Sequence, residues 1–167
     1  MKKVLILLVL QILCVSLWAQ KRSTEAVNKV MDDWHKAAAT ANFDGYFNAM
    51  TTDAVFMGTD ATERWDKVSF MTFAKPYFDR KKAWNFTALE RHISFSKNGK
   101  TAWIDELLDT QMKICRGSGV LEYKNGKWQI AQYVLSMTIP NNLVDQVVPL
   151  KTKEEDAIIR KFRESQN

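Results

Sequence analysis

The fold is decided by residues 84–139, which read WNFTALERHISFSKNGKTAWIDELLDTQMKICRGSGVLEYKNGKWQIAQYVLSMTI. Apolar and polar residues alternate through much of this stretch with the period of two that is typical of β-strands. Asn98-Gly99 and Asn125-Gly126 interrupt the alternation, and both residue types accept the positive φ angles that tight hairpin turns need. The pattern predicts a four-stranded meander, with strands at Trp84 to Phe95, Thr101 to Thr110, Ile114 to Tyr123 and Trp128 to Ile139.

The residues before and after this stretch favour helices. Residues 24–41 have apolar side chains at helical spacing on one face, with a capping residue in front and Asn42 as a stop. Thr152-Lys153-Glu154-Glu155 is a capping-box pattern and predicts a helix near the end of the chain. Together with the meander, these segments predict an α+β fold. Between the first helix and the meander we expect a short helix from Asp44 to about Met50, a strand at 54–57 and a third helix from about Asp66 to Asp79.

The two Asn-Gly turns set the cross-strand register, and the register sets which residues share a face of the sheet. Counting outward from the first turn pairs His92 with Asp105 and Arg91 with Glu106. With an even offset assumed at Gln111-Met112-Lys113, we expect a helix-covered inner face and an outer face suited to a subunit interface. The inner face is predicted to hold Trp84, Phe86, His92, Trp103, Asp105, Gly117, Gly119, Tyr123, Trp128 and Ile130. The outer face is predicted to hold Arg91, Ile93, Phe95, Ile104, Glu106, Leu108, Arg116, Val120, Tyr133 and Leu135.

The predicted pair of His92 and Asp105 is the one constellation with catalytic chemistry in it. Contact with a carboxylate favours the charged imidazolium, whereas burial opposes both charges, so a proton shared between them could serve acid–base catalysis. The alternative is a satisfied core pair with no chemistry of its own, or part of a ligand site. Arg116-Gly117-Ser118-Gly119 lies within a strand and is not a phosphate loop. We expect neither a cofactor nor a metal ion.

Residues 1–19 have the pattern of a secretory signal peptide. Lys2 and Lys3 precede an apolar run that ends near Trp18, and Ala19 is a small residue at the cleavage position. The alternatives are a membrane anchor, for which the run is short, and a lipoprotein signal, for which Leu13 is too large a residue before Cys14. We therefore expect export to the periplasm or the extracellular space, without stable membrane insertion of the mature chain.

Cleavage after Ala19 changes the charge and the cysteine count. The basic count falls from 24 to 22 against 19 acidic residues, so the net charge of the mature chain is +3 rather than +5. This charge is too small and too dispersed to indicate a nucleic-acid partner. Only Cys115 remains, so no internal disulfide is possible, and its position in a strand predicts a buried thiol.

Several short runs together resemble the SnoaL-like proteins of the nuclear transport factor 2-like, or ketosteroid isomerase-like, superfamily. The order and spacing of the runs carry the resemblance more than any one of them does. It covers about residues 24–142, which leads us to assign the domain to 20–142 and a C-terminal helical tail to 143–167. The runs are Phe56–Trp65, Ala102–Glu106, Arg116–Val120, Gly126–Ile130 and Ser136–Asn141.

The resemblance implies a cone-shaped roll, in which a strongly curved, mixed or antiparallel sheet wraps around a long N-terminal helix and encloses a pocket. It also implies homodimers that form through the outer face of the sheet. The superfamily includes ketosteroid isomerase, polyketide cyclases, dehydratases and the association domain of a calcium/calmodulin-dependent kinase, so the fold does not settle the function. By position, the pocket would be lined by Trp34, Tyr46, Phe56, Thr59, His92, Trp103 and Asp105.

Three functions remain open from the sequence. The first is a secreted, dimeric protein that binds a small apolar or aromatic molecule in a pocket rich in tryptophan. The second is a proton-transfer enzyme of the isomerase, cyclase or dehydratase type, with Asp105 as base and His92 as its partner or the acid. The third is an assembly module that acts through its outer face and its tail.

Overall fold

A computed structural model describes residues 23–165. The chain divides into two compact units, of which the first ends at Met137 and the second begins at Thr138. The predicted signal peptide, residues 1–19 with Cys14, lies outside the described residues. The first unit holds three helices and all six strands, and the second holds one long helix. This is the predicted α+β composition.

A side chain caps each helix of the first unit. Ser23, Asn42 and Asp66 precede the three helices, and each side-chain oxygen accepts a hydrogen bond from the backbone N–H three residues later, at 3.1, 2.9 and 2.8 Å. These bonds satisfy backbone donors that a helix start otherwise leaves unpaired. Asn42, predicted to stop the first helix, also begins the second. The helices are α1 (Thr24–Ala39), α2 (Phe43–Asn48) and α3 (Lys67–Asp79).

The strands form one mixed sheet of six, in the order β2-β1-β6-β5-β4-β3. The predicted meander is confirmed, and β1 adds to it as a parallel neighbour of β6. The sequence did not predict β2, because three residues are too few to show a period. The strands are β1 (Met50–Met57), β2 (Arg64–Asp66), β3 (Thr87–Phe95), β4 (Thr101–Thr110), β5 (Lys113–Lys124) and β6 (Lys127–Met137).

Both predicted hairpin registers are confirmed around the Asn-Gly turns. His92 lies opposite Asp105 in the first hairpin, and Tyr123 lies opposite Trp128 in the second. Asn125 and Gly126 both have positive φ, at 53° and 81°, as a tight two-residue turn requires. In the first turn only the glycine has positive φ, because residues 97–100 form a wider connection.

The predicted inner and outer faces of β3 and β4 are wrong, because the structure reverses them. Ile104, Glu106 and Leu108 are buried, whereas Trp103 is 50% exposed and Asp105 is exposed. The prediction gave most weight to Trp103, but burying Ile104 and Leu108 together with their neighbours on the same face removes more apolar surface from water. Predicted outer residues that lie on the inner face are Arg91, Ile93, Phe95, Ile104, Glu106, Leu108, Tyr133 and Leu135, while His92, Trp103 and Asp105 lie on the outer face.

The offset assumed between β4 and β5 was also wrong. Thr110 pairs directly with Lys113, so Gly117 lies opposite Glu106 and shares its face instead of the face of Trp103. Lys113 has a φ of 68°, a left-handed conformation that allows this short connection. The two glycines of β5 therefore lie on the inner face as predicted, but with different neighbours.

A β-bulge in β6 explains why Tyr133 points inward. Leu121 pairs with Ile130 and Val120 pairs with Gln132, which leaves Ala131 as the extra residue. One extra residue shifts the alternation of side chains by one position. Ile130 and Tyr133 are consequently both buried, although an unbroken strand would place them on opposite faces.

The core between the helices and the sheet is largely aromatic. Trp34 of α1 stacks on Tyr46 of α2, with ring centroids 4.8 Å apart, and meets the edge of Tyr133 at 4.7 Å. Offset and edge-on pairs of this kind add to the free energy gained from burial. Cys115 is buried in the sheet, as the sequence predicted.

The second unit contains a 3₁₀ turn (Asn141–Leu143) followed by helix α4 (Val144–Glu164). The helix begins well before the predicted capping box. Thr152 does not cap it, because its Oγ1 donates to the Val148 carbonyl at 2.7 Å as a mid-helix residue. Among residues 23–165, no helix combines the length and apolar character that a membrane span requires.

Gly117 allows the closest approach within the sheet, and its replacement should destabilise the fold. A Cβ atom at this position would lie against the Tyr133 hydroxyl, 2.7 Å from Tyr133 Cζ and 3.0 Å from Glu106 Cγ. We expect Gly117→Ala to lower the free energy of unfolding by about 2–3 kcal/mol, since overpacking and a displaced hydrogen bond both act. Urea denaturation measures this change.

Ser118→Ala is the matched control for the glycine variant. Ser118 is the next residue of β5 and is exposed on the opposite face. Its replacement should change the free energy of unfolding by less than about 0.5 kcal/mol. Equal effects of the two variants would contradict the packing argument.

Candidate ligand-binding site

An aromatic cavity opens beside helix α3, with a volume of about 210 Å³. Its wall combines the end of β1, the following loop, β2, α3, the segment before β3, the β4–β5 turn and β6. These parts are distant in sequence, so only the folded chain brings them together. The aromatic members of the wall are Phe56, Trp65, Phe70, Phe73, Trp84 and Phe86.

The rings of the wall are held by contacts with one another. Phe56 and Phe70 stack with centroids 4.1 Å apart and planes 6° from parallel. Trp65 stacks on Phe73 at 5.1 Å, and Phe70 lies 5.9 Å from Trp84 with planes 21° apart. Stacked rings fix each other's orientation. The cavity therefore presents several nearly parallel aromatic planes.

Few polar groups reach this cavity. Thr59, Glu63 and Gln111 are the polar side chains of its lining. Glu63 is the only titratable lining residue, and its Oε2 accepts a hydrogen bond from the Asp60 backbone N–H at 3.3 Å. Apolar walls with a few polar groups are typical of small-molecule sites.

Four of the predicted pocket residues lie at this cavity or beneath it. Phe56 and Thr59 line it. Trp34 and Tyr46 are buried beneath the cavity wall. The Tyr46 ring contacts the Trp84 ring, with ring centroids 5.5 Å apart. Trp34 and Tyr46 support the wall and do not line it.

The structure places Trp103, His92 and Asp105 away from the cavity, on the outer face of the sheet. His92 lies opposite Asp105 as predicted, but its Nε2 contacts Glu90 Oε1 at 2.8 Å, and 63% of its side chain is exposed. The prediction that these residues line the pocket is wrong, since it followed from the reversed faces. An exposed histidine beside carboxylates is solvated and lacks the enclosure that strengthens acid–base catalysis.

The sequence reasoning missed a buried polar network around Glu106 on the inner face. Tyr133 donates its hydroxyl to Glu106 Oε1 at 2.6 Å, and Arg91 Nε donates to Oε2 at 2.8 Å. His35 Nε2 lies 2.9 Å from Oε1, and because an ionised carboxylate only accepts, the imidazole donates. The signal was present in the sequence, since Arg91 and Glu106 were correctly paired across strands within an aliphatic face.

The network also joins the sheet to helix α1. Arg91 Nη1 donates to Asp32 Oδ1 at 2.8 Å and to Asn28 Oδ1 at 3.0 Å, and His35 belongs to the same helix. Burial raises the pKa of Glu106, but the hydrogen bonds from His35 and Tyr133 and the charge of Arg91 outweigh it and hold the pKa below the ordinary value. Burial and the adjacent Glu106 charge raise the pKa of Tyr133, which therefore stays a donor.

The potential metal-ligating side chains are dispersed in the described part of the chain. Within it, no three His, Cys, Asp or Glu side chains come together in a way that could coordinate one. The aromatic cavity is lined mainly by apolar side chains.

Comparison with known proteins places this fold in a family. The sequence profile of the SnoaL-like domain matches residues 27–140, which include every element of the first unit except the first turn of α1. This chain belongs to the SnoaL-like family. None of the curated proteins is significantly similar to it in sequence.

Solved structures of low sequence identity share the fold of this SnoaL-like chain. A nuclear transport factor 2-like protein of unknown function from Pseudomonas putida is 14% identical, with a TM-score of 0.59 over 72% of this chain and 92% of that one. A provisionally named dehydratase of the same superfamily from Streptomyces avermitilis is 11% identical, with a TM-score of 0.61 over 70% and 96%. A nuclear transport factor 2-like protein from Cytophaga hutchinsonii is 12% identical, with a TM-score of 0.58 over 68% of this chain and 97% of that one.

Replacing Glu106 by Gln should weaken the fold and flatten its acid dependence. The variant leaves Arg91 facing a neutral amide, so we expect the free energy of unfolding at pH 7 to fall by about 3 kcal/mol. The pKa of Glu106 is lower in the folded chain than its ordinary value of 4.5, so the ionised carboxylate stabilises the fold above pH 4.5. This stabilisation is lost as the pH falls through the pKa of Glu106 in the folded chain. Urea denaturation should therefore show that the free energy of unfolding falls less between pH 6 and about pH 3 in the variant than in the parent chain.

Glu90→Gln is the control for this effect. The Glu90 side chain is 55% exposed on β3 and pairs only with the solvated His92. Its replacement should alter the free energy of unfolding by less than about 0.5 kcal/mol. A pH dependence that is the same in all three chains would contradict the role assigned to Glu106.

Proposed function

We propose that this SnoaL-like domain binds a small apolar or aromatic molecule in the aromatic cavity. The observation that carries the proposal is the wall of six aromatic rings around about 210 Å³ of free volume. A cavity lined in this way gains free energy when an apolar molecule replaces the void or its water.

The size and the ring orientations indicate the kind of molecule. An apolar cavity of roughly 150 Å³ is enough to hold benzene. The larger volume here suits a molecule of one or two fused rings. Since Phe70 lies within 17–21° of parallel to both Phe73 and Trp84, a flat ligand can stack against the wall.

The geometry favours binding over the proton-transfer alternative. Asp105 and His92, the groups proposed for that chemistry, lie on the outer face. Glu106 is enclosed by three donors and does not line the cavity. The dehydratase name of the Streptomyces neighbour does not alter this, because a likeness at 11% identity concerns the fold alone.

A bulky residue at the rim should block the cavity. Thr59 lines the cavity and is exposed, so Thr59→Trp can fill the opening without disturbing the core. We expect 2-naphthalenemethanol to bind the parent chain and to bind this variant at least about tenfold more weakly, because the ring loses its place against the wall. Isothermal titration calorimetry measures both dissociation constants.

Two control variants separate the cavity from other sites. Thr52→Trp adds the same side chain at an exposed position of β1 that does not line the cavity, and it should bind the probe as the parent does. Asp105→Asn should also leave binding unchanged, since Asp105 lies on the other face. If the parent chain does not bind the probe, the proposed binding function is overturned and the assembly module is favoured.

We further propose that the chain acts as an exported homodimer formed through the outer face of the sheet. The signal-peptide pattern of residues 1–19 supports the export. The outer face supports the dimer, because Trp103, Leu107, Val120 and Val134 place apolar side chains together on neighbouring strands. Trp103 is half exposed and the other three are partly exposed, and apolar residues grouped on a surface can mark an interaction site.

Native mass spectrometry of the exported fraction tests both parts of this proposal. We expect a chain that begins at Gln20 and a species of twice its mass. Trp103→Glu should convert the dimer to monomer, because a carboxylate would be buried at the interface. Val68→Glu, on the exposed side of α3, makes the same kind of change away from the sheet and should stay dimeric. A monomeric parent chain would contradict the dimer, and retained residues 1–19 would contradict the export.

A further inference from the structure

We propose that the ligand of the aromatic cavity carries a carboxylate group, which lies in an adjoining groove against Arg80 and Lys82. The inference rests on the proposed function, because it concerns the ligand of the same cavity. It adds the chemical class of that ligand: a planar aromatic acid rather than a neutral hydrocarbon or an amine.

The groove adjoins the aromatic cavity. It has a volume of about 760 Å³, and it shares Trp84 and Gln111 with the cavity lining. A molecule that stacks beside Trp84 in the cavity can therefore extend past the indole into the groove. The cavity alone holds one or two rings, so substituents of the ligand would occupy this second space.

The charge of the groove is positive. Arg80 and Lys82 line it, and its lining contains no acidic residue. Within residues 23–165 neither of these two side chains takes part in an ion pair, while the neighbouring Asp79 pairs with Lys75. The two cations are therefore available for an anionic group, which they would attract across a partly enclosed space.

Arg80 is held in place by an aromatic ring. Its guanidinium lies over the Tyr77 ring, 5.0 Å from the centroid, and Tyr77 also lines the groove. A guanidinium over a ring face is attracted by the π electrons, and its planar set of N–H donors matches the two oxygens of a carboxylate. This geometry favours a carboxylate over a neutral polar group.

The backbone at the end of α3 positions both cations. Lys81 has a φ of 55°, a left-handed conformation that glycine usually occupies at the end of a helix. The Lys82 N–H donates to the Tyr77 carbonyl at 3.1 Å, and the Lys81 N–H donates to the Phe78 carbonyl at 2.9 Å. These two bonds form a Schellman motif, which reverses the chain and leads directly into Ala83 and Trp84. The cations are thus tied to the residue that divides the cavity from the groove.

The cavity and the groove differ in charge, which would orient the ligand. Glu63 is the one charged residue in the cavity lining, and the two cations belong to the groove lining. A carboxylate directed into the groove approaches Arg80 and Lys82, whereas the reverse orientation would place it near Glu63. Like charges in a partly desolvated site repel, so the first orientation is favoured.

Two probes with the same ring test the inference. We expect 2-naphthoate to bind the full-length mature chain about tenfold more tightly than 2-naphthalenemethanol in low-salt buffer, measured by isothermal titration calorimetry. This preference should shrink at high salt, because the charges are only partly enclosed. The double variant Arg80→Glu with Lys82→Glu should lose the preference and still bind 2-naphthalenemethanol within about twofold of the parent.

Lys100→Glu with Lys127→Glu is the matched control, with the same change in net charge at exposed positions that line neither space. It should keep the preference for 2-naphthoate. Equal binding of the two probes to the parent chain, or a preference that survives in the groove variant, would overturn this inference and leave the proposed function intact. If neither probe binds, both are overturned.

Discussion

The carboxylate of Glu106 connects helix α1 to three strands of the sheet. It has no contact with water and is surrounded by His35 from α1, Arg91 from β3 and Tyr133 from β6. A buried charge without partners would be strongly destabilising, so the sheet and the helix must meet in the one arrangement that supplies all three donors. Gly117 belongs to the same constraint, because only a residue without a Cβ leaves room for the Tyr133 hydroxyl.

None of the residues that surround Glu106 lines the aromatic cavity. Near Glu106, the rings of Trp34, Tyr46 and Tyr133 fill the space between helix and sheet. Farther along the sheet, Phe56 stacks on Phe70, and the rings around them leave the cavity open beside α3. The polar network thus secures the scaffold, and under the proposed function the aromatic wall is the surface that contacts the ligand.

Membership of the SnoaL-like family accounts for the scaffold and leaves the chemistry to particular side chains. The structures that share the fold are only 11–14% identical to this chain, and one is a protein of unknown function. In this chain, the wall is aromatic, and the groove beside it carries Arg80 and Lys82. The function proposed here follows from those residues rather than from the fold.

The sequence by itself determined the α+β composition, the meander and its two hairpin registers, because these depend on short-range periodicity and turn chemistry. It correctly paired Arg91 with Glu106 and His92 with Asp105. Only the tertiary structure decided which of the two faces of each strand is buried. A short turn at Gln111-Met112 and the bulge at Ala131 each shift the alternation by one residue, and a shift of one residue moves every later side chain to the other face.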